Sequence, residues 1–280
     1  MSMYPNDLRF KNFTDLFGVK KPIIGMVHLL PLPGSPLYDN GGLREVIDRA
    51  LYDVNELQKG GVDGLEIENF SDTTYYPSEV GPELVSSISV VADRIMKVAK
   101  LPVGICILAD PKAGISVAHA VGAQFIRATF FTEASVDVSG LVLPKPHELL
   151  RFRKFLDPSI KIFADVHIKH SAPLVNRPIE DSALDAKYFL ADAIIISGTH
   201  TGRETKLDDV KKAKEAVEDF PVLIGSGFQK KSAENIFKYA DGAIVGTSLK
   251  QEGISSNPVD CLRVADLMET VKQIRKNLSP

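Results

Sequence analysis

Eight short apolar segments rich in Val and Ile recur along the 280-residue chain, and each is followed by a segment of helical period. This alternation predicts parallel strands joined by helical crossovers. The apolar segments span residues 22–29, 64–69, 102–108, 125–130, 161–168, 193–197, 221–225 and 242–247. The helical segments span residues 44–59, 82–100, 113–121, 146–156, 180–190, 208–219, 232–238 and 258–276.

A closed (β/α)8 TIM barrel is the fold that this pattern predicts, because such a barrel has eight repeats and about 250 residues. An open doubly wound sheet has the same alternation, but it usually carries a glycine-rich dinucleotide fingerprint after its first strand. The segment after residue 29 lacks that fingerprint. We therefore predict one α/β domain over residues 1–280, with an N-terminal extension at 1–21 and the barrel at 22–280.

Composition excludes several classes of function. The chain has 44% hydrophobic and 25% charged residues, and its formal charge of −3 is spread over helices of mixed sign. A nucleic-acid-binding protein would need a concentrated basic patch, and a membrane span would need about 18 consecutive apolar residues. Two isolated cysteines and an N-terminus without a secretory pattern predict a soluble cytoplasmic protein. Barrels of this size often pair, so a homo-oligomer is expected.

Strand alternation predicts which side chains face the barrel axis. In the fifth apolar segment, Ile162, Ala164 and Val166 share the parity that suits the helix layer. The alternate positions, which face the barrel axis, carry ionisable groups. The first, second and fourth segments show the same division between apolar outward positions and ionisable inward ones. The candidate catalytic residues at strand ends are His28, Glu68, Asp165, His167 and Lys169. Further candidates are Glu66, Asn69, Arg127 and His200.

Three chemistries are open to this group. Asp165 and His167, with Glu68 or His28, could ligate a divalent metal ion. Alternatively, His167 or Glu68 is a general base for enolisation of a sugar phosphate, with Lys169 as electrostatic partner. In the third, Lys169 forms a Schiff base. The structural alternative is that Glu66 and Arg127, deeper in their strands, form an ion-pair layer inside the barrel.

Two glycine-bearing strand ends near the C-terminus predict a phosphate site. The segments VLIGSG, from Val222 to Gly227, and ADGAIVGTSLK, from Ala240 to Lys250, follow one another. Successive turns of this kind can place backbone N–H groups around an anion, and glycine lets the backbone approach the ligand or take a positive φ. The predicted phosphate-binding residues are Gly198, Gly225, Ser226, Gly227, Gly246 and Thr247.

Several motifs resemble the BtpA/SgcQ family. They are IGMVHLLPLPGSP (24–36), GGVDGLEIEN (60–69), VGPE (80–83), GAQFIR (122–127), ADVHIKHSAPL (164–174), SGTHTG (197–202), IGSG (224–227) and ADGAIVGTSLK (240–250). This resemblance covers the chain from about residue 22 to the last helix. The resemblance implies a phosphate-binding TIM barrel. The family is named partly for a photosystem I biogenesis factor.

Two hypotheses of function follow. The first is an enzyme of isomerase or lyase type that acts on a small phosphorylated metabolite, such as a sugar or ribose phosphate. The second is a non-catalytic barrel that binds a metabolite or protein and supports assembly of a complex. The fold does not decide between these two hypotheses, because barrels carry many unrelated functions.

Overall fold

Eight parallel strands close into a barrel, as predicted. The computed structural model describes residues 9–39, 41–198, 200–202 and 204–278. The strands in chain order are β1 (Ile23–His28), β2 (Gly64–Glu68), β3 (Val103–Cys106), β4 (Phe125–Ala128), β5 (Ser135–Asp137), β6 (Gly140–Val142), β7 (Lys161–Val166), β8 (Ala172–Pro173), β9 (Ala193–Ile196), β10 (Val222–Ile224) and β11 (Gly242–Val245). The barrel order is β1-β11-β10-β9-β7-β4-β3-β2, and this closure confirms the (β/α)8 prediction.

Helices surround the barrel. They are α1 (Arg9–Phe17), α2 (Leu43–Gly60), α3 (Pro82–Met96), α4 (Pro111–Val121), α5 (Pro146–Leu156), α6 (Ile179–Tyr188), α7 (Leu207–Val217), α8 (Ala233–Ile236) and α9 (Cys261–Asn277). Short 3-10 turns at Lys230–Ser232, Thr247–Leu249 and Gln251–Gly253 lie beside α8 and before α9. Within the described residues, no helix combines the length and the apolar character needed to cross a membrane.

Alternate residues of the barrel strands enter two separate apolar cores, as the parity argument predicts. Ile162, Ala164 and Val166 of β7 lie in the larger core, between the strands and the helices. Phe163 of the same strand lies in a smaller core inside the barrel, together with Ile24 and Met26 of β1. Because the two parities separate so cleanly, the polar residues of the inner parity have only the barrel interior to enter.

Helix α1 closes the N-terminal end of the barrel, a role that the sequence analysis did not predict for the 1–21 extension. Residues 1–8 of that extension lie outside the described residues. The Phe17 ring centroid lies 5.3 Å from that of Phe13 and 6.0 Å from that of Phe125. Phe125 and Phe163 stack inside the barrel at 4.7 Å. Burying aromatic rings stabilises such a closure, since a buried Phe truncated to Ala typically costs about 3–5 kcal/mol.

A small antiparallel sheet of order β6-β5-β8 was also not predicted. Its strands come from the segments that follow β4 and β7, so it stands beside the C-terminal ends of the barrel strands. Active sites of TIM barrels lie at that end.

Candidate active site

A cavity of about 330 Å³ opens at the C-terminal ends of the strands. Three of the five predicted catalytic residues line it, namely His28, Glu68 and Lys169, and Arg127 joins them. Five of the six predicted phosphate-binding residues also line it: Gly225, Ser226, Gly227, Gly246 and Thr247. The structure therefore brings three of the predicted catalytic residues and five of the predicted phosphate-binding residues around one space.

Arg127 organises the cavity floor. Its Nε and Nη2 donate to Asp165 Oδ2 and Oδ1 at 2.7 and 2.9 Å, a bidentate pair that fixes the guanidinium plane. Its Nη1 lies 3.6 Å from Glu66 Oε1 and 3.7 Å from Glu68 Oε2. Arg127 is 2% exposed, so these interactions are desolvated. Asp165 is thus occupied in holding Arg127 beneath the cavity.

The floor carries more negative than positive charge, because one guanidinium faces the carboxyl groups of Glu66, Glu68 and Asp165. Neither Glu66 oxygen has a hydrogen-bond partner among the described residues, and the side chain is fully buried. Burial raises the pKa of Glu66 to about 8, and the charges of Glu68 and Asp165 act in the same direction against Arg127. The protonated, neutral form of Glu66 is therefore favoured far more than that of a solvated glutamate.

His28 presents a lone pair to the cavity. Its Nδ1 lies 3.1 Å from the carbonyl oxygen of Ser255, which can only accept, so Nδ1 carries the proton in the neutral ring and Nε2 does not. The ring also stacks on Phe70 at 4.1 Å between centroids. Burial, then the charges of Lys250 and Lys169, hold the pKa of His28 well below its ordinary value. A neutral imidazole with this tautomer can accept a proton at Nε2.

Lys169 lies where two cavities meet. It lines the site cavity and a second, more open cavity of about 1060 Å³ beside the small sheet. Burial and the nearby charge of Arg127 lower its pKa, while Glu68 and Asp165 raise it more weakly. The neutral amine is therefore more populated on Lys169 than on a solvated lysine.

His167 does not line the site cavity, contrary to the parity prediction; it lines the second cavity, which shares Lys169 with the first. Strand β7 ends at Val166, and His167 takes a φ of 51°, in the left-handed region. Such a backbone breaks the alternation of a strand. The His167 ring turns to α6, where Nε2 lies 3.1 Å from Ser182 Oγ.

The predicted metal ligands are consequently not assembled. Asp165 is committed to Arg127, and His167 faces α6. A different trio could supply metal ligands, because one ligand atom each from Glu66, Glu68 and Cys106 lies within 4.8 Å of the others. Arg127 already places positive charge beside both carboxylates of that trio. Metal binding remains a prediction that this geometry does not test.

The predicted anion turns converge. Gly227 has a φ of 67°, as the sequence analysis allowed for a phosphate-binding glycine. The hydroxyl of Ser248 donates to the Phe228 carbonyl at 3.0 Å, which ties the 3-10 turn Thr247–Leu249 to the turn after β10. Thr247 Oγ1 lies 2.8 Å from Ser255 Oγ. Backbone N–H groups at the start of the 3-10 turn and small hydroxyls can bind an anion.

Neither Gly225 nor Gly246 has a positive φ in the left-handed region, so that part of the prediction does not hold for them, and the structure adds a steric reason for glycine at both positions. A Cβ at position 225 would lie 2.5 Å from Ile195 Cγ2 and 2.6 Å from Ser197 Oγ. A Cβ at position 246 would lie 2.9 Å from Cε1 of His28. Glycine at these positions makes room for neighbouring side chains, including a candidate catalytic one.

A family model described as the BtpA family matches residues 19–273, which include every strand and every lining residue of the site. The chain belongs to the BtpA family. An uncharacterised protein of Thermococcus kodakarensis is 41% identical over 92% of this chain and 98% of its own length. The photosystem I biogenesis protein BtpA of Synechocystis sp. is 38% identical over 92% of this chain and 90% of its own length.

Solved structures share the fold at low identity. A structure described as native KDPGal aligns with a TM-score of 0.55 and 15% identity, over 91% of this chain and 95% of its own. An N-(5′-phosphoribosyl)anthranilate isomerase from Pyrococcus furiosus aligns with a TM-score of 0.55 and 12% identity, over 90% and 99%. These similarities support the barrel assignment of this BtpA-family chain.

Three predicted residues lie beside the site cavity of this BtpA-family barrel rather than in its wall. The backbone N–H of Gly198 donates to Ser226 Oγ at 2.8 Å, so Gly198 supports the anion turn from the adjacent strand. Asn69 donates to Asp72 and accepts from the Leu108 backbone, and it lines a separate cavity. His200 lines the second cavity, where its ring lies 5.1 Å from that of His170.

Sequence reasoning missed two cations at the rim. Lys230 and Arg263 line the cavity, and Lys230 pairs with Asp266 at 2.6 Å. Arg263 belongs to α9, far along the chain from the glycine turns, so no local motif connects it to them. Lys230 follows Gly227 by three residues, and that spacing was the available signal.

Proposed function

We propose that this protein is an enzyme of isomerase or lyase type that acts on a small phosphorylated metabolite. One observation carries the proposal: a single cavity is lined by the two glycine turns and by three ionisable groups, His28, Glu68 and Lys169. An anion site alone would suit a binding protein. His28 and Lys169, whose pKa values are both lowered, lie in the same space as the anion turns, and this favours catalysis.

The phosphate end would be formed by the turns after β10 and β11. Gly227, Thr247 and Ser248 line that part of the cavity, and Lys230 and Arg263 add positive charge at its rim. A phosphate held by backbone N–H groups and flanked by cations gains charge-assisted hydrogen bonds. A neutral sugar of the same shape would lack them, so the phosphate would supply the binding energy that positions the rest of the ligand.

The reacting end would be the wall formed by His28, Glu68 and Lys169. Nε2 of His28 can take a proton from a carbon next to a carbonyl or from a hydroxyl. Lys169 and Arg127 can stabilise the negative charge that then develops on oxygen. Isomerisation and carbon–carbon cleavage both pass through such a species, which is why the two reaction types are proposed together.

Support from the comparisons is at the level of fold, since a neighbour of the same barrel is a phosphoribosylanthranilate isomerase. The named relative in Synechocystis favours a second candidate, a barrel that assists assembly of a protein complex. The two candidates differ in one observable property, because only the enzyme must bind and convert a small phosphorylated compound.

The test is a panel of sugar and ribose phosphates, each paired with its dephosphorylated form. Thermal unfolding and product formation are measured for the wild type, Thr247→Asp and Ser86→Asp. Thr247 lines the cavity, whereas Ser86 is exposed on α3, so the two variants add the same charge at different places. We expect stabilisation and turnover with one phosphorylated compound, a loss of affinity of at least about tenfold in Thr247→Asp, and no change in Ser86→Asp. No response to any phosphorylated compound would overturn the proposal and favour the assembly role.

A further inference from the structure

We infer that Lys169 forms a covalent imine with an aldehyde or ketone carbon of the phosphorylated ligand. This inference rests on the proposed function and narrows its substrate class to carbonyl phosphates. It concerns the reacting end of the cavity, where the geometry of Lys169 differs from that of the other buried lysines.

The first observation is that Lys169 has no anionic partner within 4.0 Å among the residues that the structure describes. Across the ranges that the structure describes, its Nζ makes no ion pair within 4.0 Å and no hydrogen bond. The buried or partly buried lysines at 21, 214 and 250 each pair with an aspartate, at 3.5, 2.7 and 2.8 Å. A partly buried amine left unpaired is costly as a cation, so its neutral form is favoured at this position.

The second observation concerns the charged groups around Lys169. Lys169 shares the cavity wall with a cation, Arg127, whose charge lowers the pKa of Lys169 more strongly than either Glu68 or Asp165 raises it, and whose own bonds are taken by Asp165. Two cations close together favour loss of the proton from the more acidic one, which is the lysine. His28, with an unprotonated Nε2, lines the same cavity and can take that proton.

The covalent step balances without a further reagent. The amine lone pair attacks the carbonyl carbon, a C–N bond forms, and the C=O π electrons move to oxygen. One proton passes from nitrogen to that oxygen, and His28 returns to it the proton that it took from R–NH3⁺, so the oxygen leaves as water. In sum, R–NH3⁺ and O=CR2 give R–NH⁺=CR2 and H2O. The resulting iminium draws electrons from the neighbouring C–H or C–C bond, and it therefore serves an isomerase or a lyase equally.

Reductive trapping tests this inference. The wild type is incubated with sodium cyanoborohydride and one of four probes: glyceraldehyde 3-phosphate, dihydroxyacetone phosphate, erythrose 4-phosphate or ribose 5-phosphate. The dephosphorylated form of each probe is run in parallel. We expect the protein mass to rise by the mass of the probe less one oxygen atom, with the label on Lys169 in the peptide map. The phosphorylated probe should label at least tenfold faster than its dephosphorylated form.

Two variants separate the imine from a merely electrostatic role. Lys169→Arg keeps the positive charge and cannot form an imine, so its labelling should be absent while its far-ultraviolet circular dichroism and melting temperature stay near those of the wild type. Lys161→Met removes a lysine from the first position of β7, the strand that precedes Lys169 in the chain; Lys161 does not line the cavity, so this variant should label as the wild type does.

The failure of the imine is distinguishable from the failure of the proposed function. If a phosphorylated probe stabilises the protein or is converted while Lys169 stays unlabelled, the imine is overturned and the enzyme proposal stands. Label spread evenly over exposed lysines would overturn it equally. Labelling that is unchanged in Lys169→Arg would do the same, because another amine would then be the nucleophile.

Discussion

Two clusters of buried charge lie in this barrel, and they are built differently. Asp53 of α2 and Lys250, just after β11, are both fully buried, and their side chains pair at 2.8 Å. Asp53 also accepts from the Val259 backbone at 2.7 Å and from Arg49 at 3.4 Å. Both carboxylate oxygens of Asp53 and the ammonium of Lys250 therefore have partners. The pair connects α2 to the segment that precedes α9.

The cluster around Arg127 is unbalanced. Three carboxyl groups surround one guanidinium, and the Glu66 oxygens have no hydrogen bond among the described residues. Arg127 and Glu68 of this cluster line the cavity, whereas neither Asp53 nor Lys250 does. The comparison teaches that a buried ion pair with complete partners serves architecture, and that an incomplete one beside a cavity keeps a proton or a charge available for chemistry.

Removing the charge of Asp53 from its cluster with Lys250 has the largest expected effect on stability. Asp53→Asn leaves the Lys250 ammonium buried without a counter-charge, and breaking a buried pair in this way costs about 3–5 kcal/mol of unfolding free energy. Urea denaturation measures the loss. Asp48→Asn on the same helix is the control, because its pair with Arg44 is exposed and should change stability by less than about 1 kcal/mol. Equal effects in the two variants would contradict the account.

Replacing Glu66 in the Arg127 cluster should change how the unfolding free energy depends on pH. The folded pKa of Glu66, about 8, exceeds its unfolded value of 4.5, so the stability it contributes is complete below pH 4.5 and is lost as the pH rises to about 8. Glu66→Gln removes this dependence. We expect the unfolding free energy of the wild type to fall relative to that of Glu66→Gln by at most about 1.4 kcal/mol per pH unit in this window.

Urea titrations at several pH values check that prediction. Glu79→Gln, at an exposed position, should run parallel to the wild type. A difference between wild type and Glu66→Gln that stays constant from pH 5 to 8 would mean that Glu66 is ionised in the folded protein. The contrast between the two clusters would then be lost, since the Arg127 cluster would hold its full negative charge.

The alternation of strand residues was enough to predict most of the site. Glu66, Glu68, Arg127 and Asp165 lie inside the barrel because regular strands leave them no other direction. The rule did not place His167 correctly, because the strand had already ended and a positive φ directs its ring to Ser182 of α6 rather than into the site cavity. Strand ends are set by tertiary contacts rather than by local pattern, so a sequence rule is weakest where candidate catalytic residues stand.

Features that join distant parts of the chain were also out of reach. Helix α1 closes the barrel through Phe13 and Phe17, yet its sequence differs little from that of a surface helix. Asp53 and Lys250 are 197 residues apart in the chain, and no local sequence pattern near either residue indicates that they pair. Long-range complementarity of this kind becomes visible only when the fold has placed the partners together.

A third prediction concerns His28. Gly246→Ala would place a Cβ 2.9 Å from His28 Cε1, so the ring must shift from the position in which its Nδ1 meets the Ser255 carbonyl. Overpacking of this kind typically costs about 1–3 kcal/mol, and we expect the affinity for a phosphorylated ligand to fall with it. Gly114→Ala is the control, because its Cβ would meet no atom closer than 3.7 Å. Undiminished binding by Gly246→Ala would remove His28 from the site.

The smallest effect is expected where the site prediction failed. Ser182→Ala removes the hydrogen bond to His167, and such a bond is worth about 1 kcal/mol. Ser87→Ala is a matched control, because Ser87 is also buried on a helix and its hydroxyl donates to the Glu83 carbonyl. Both variants should lose a similar amount of stability and keep full affinity for phosphorylated ligands in the thermal assay. A selective loss of affinity in Ser182→Ala would mean that His167 acts in the cavity, and the unbalanced cluster would then include a group that the static geometry places outside it.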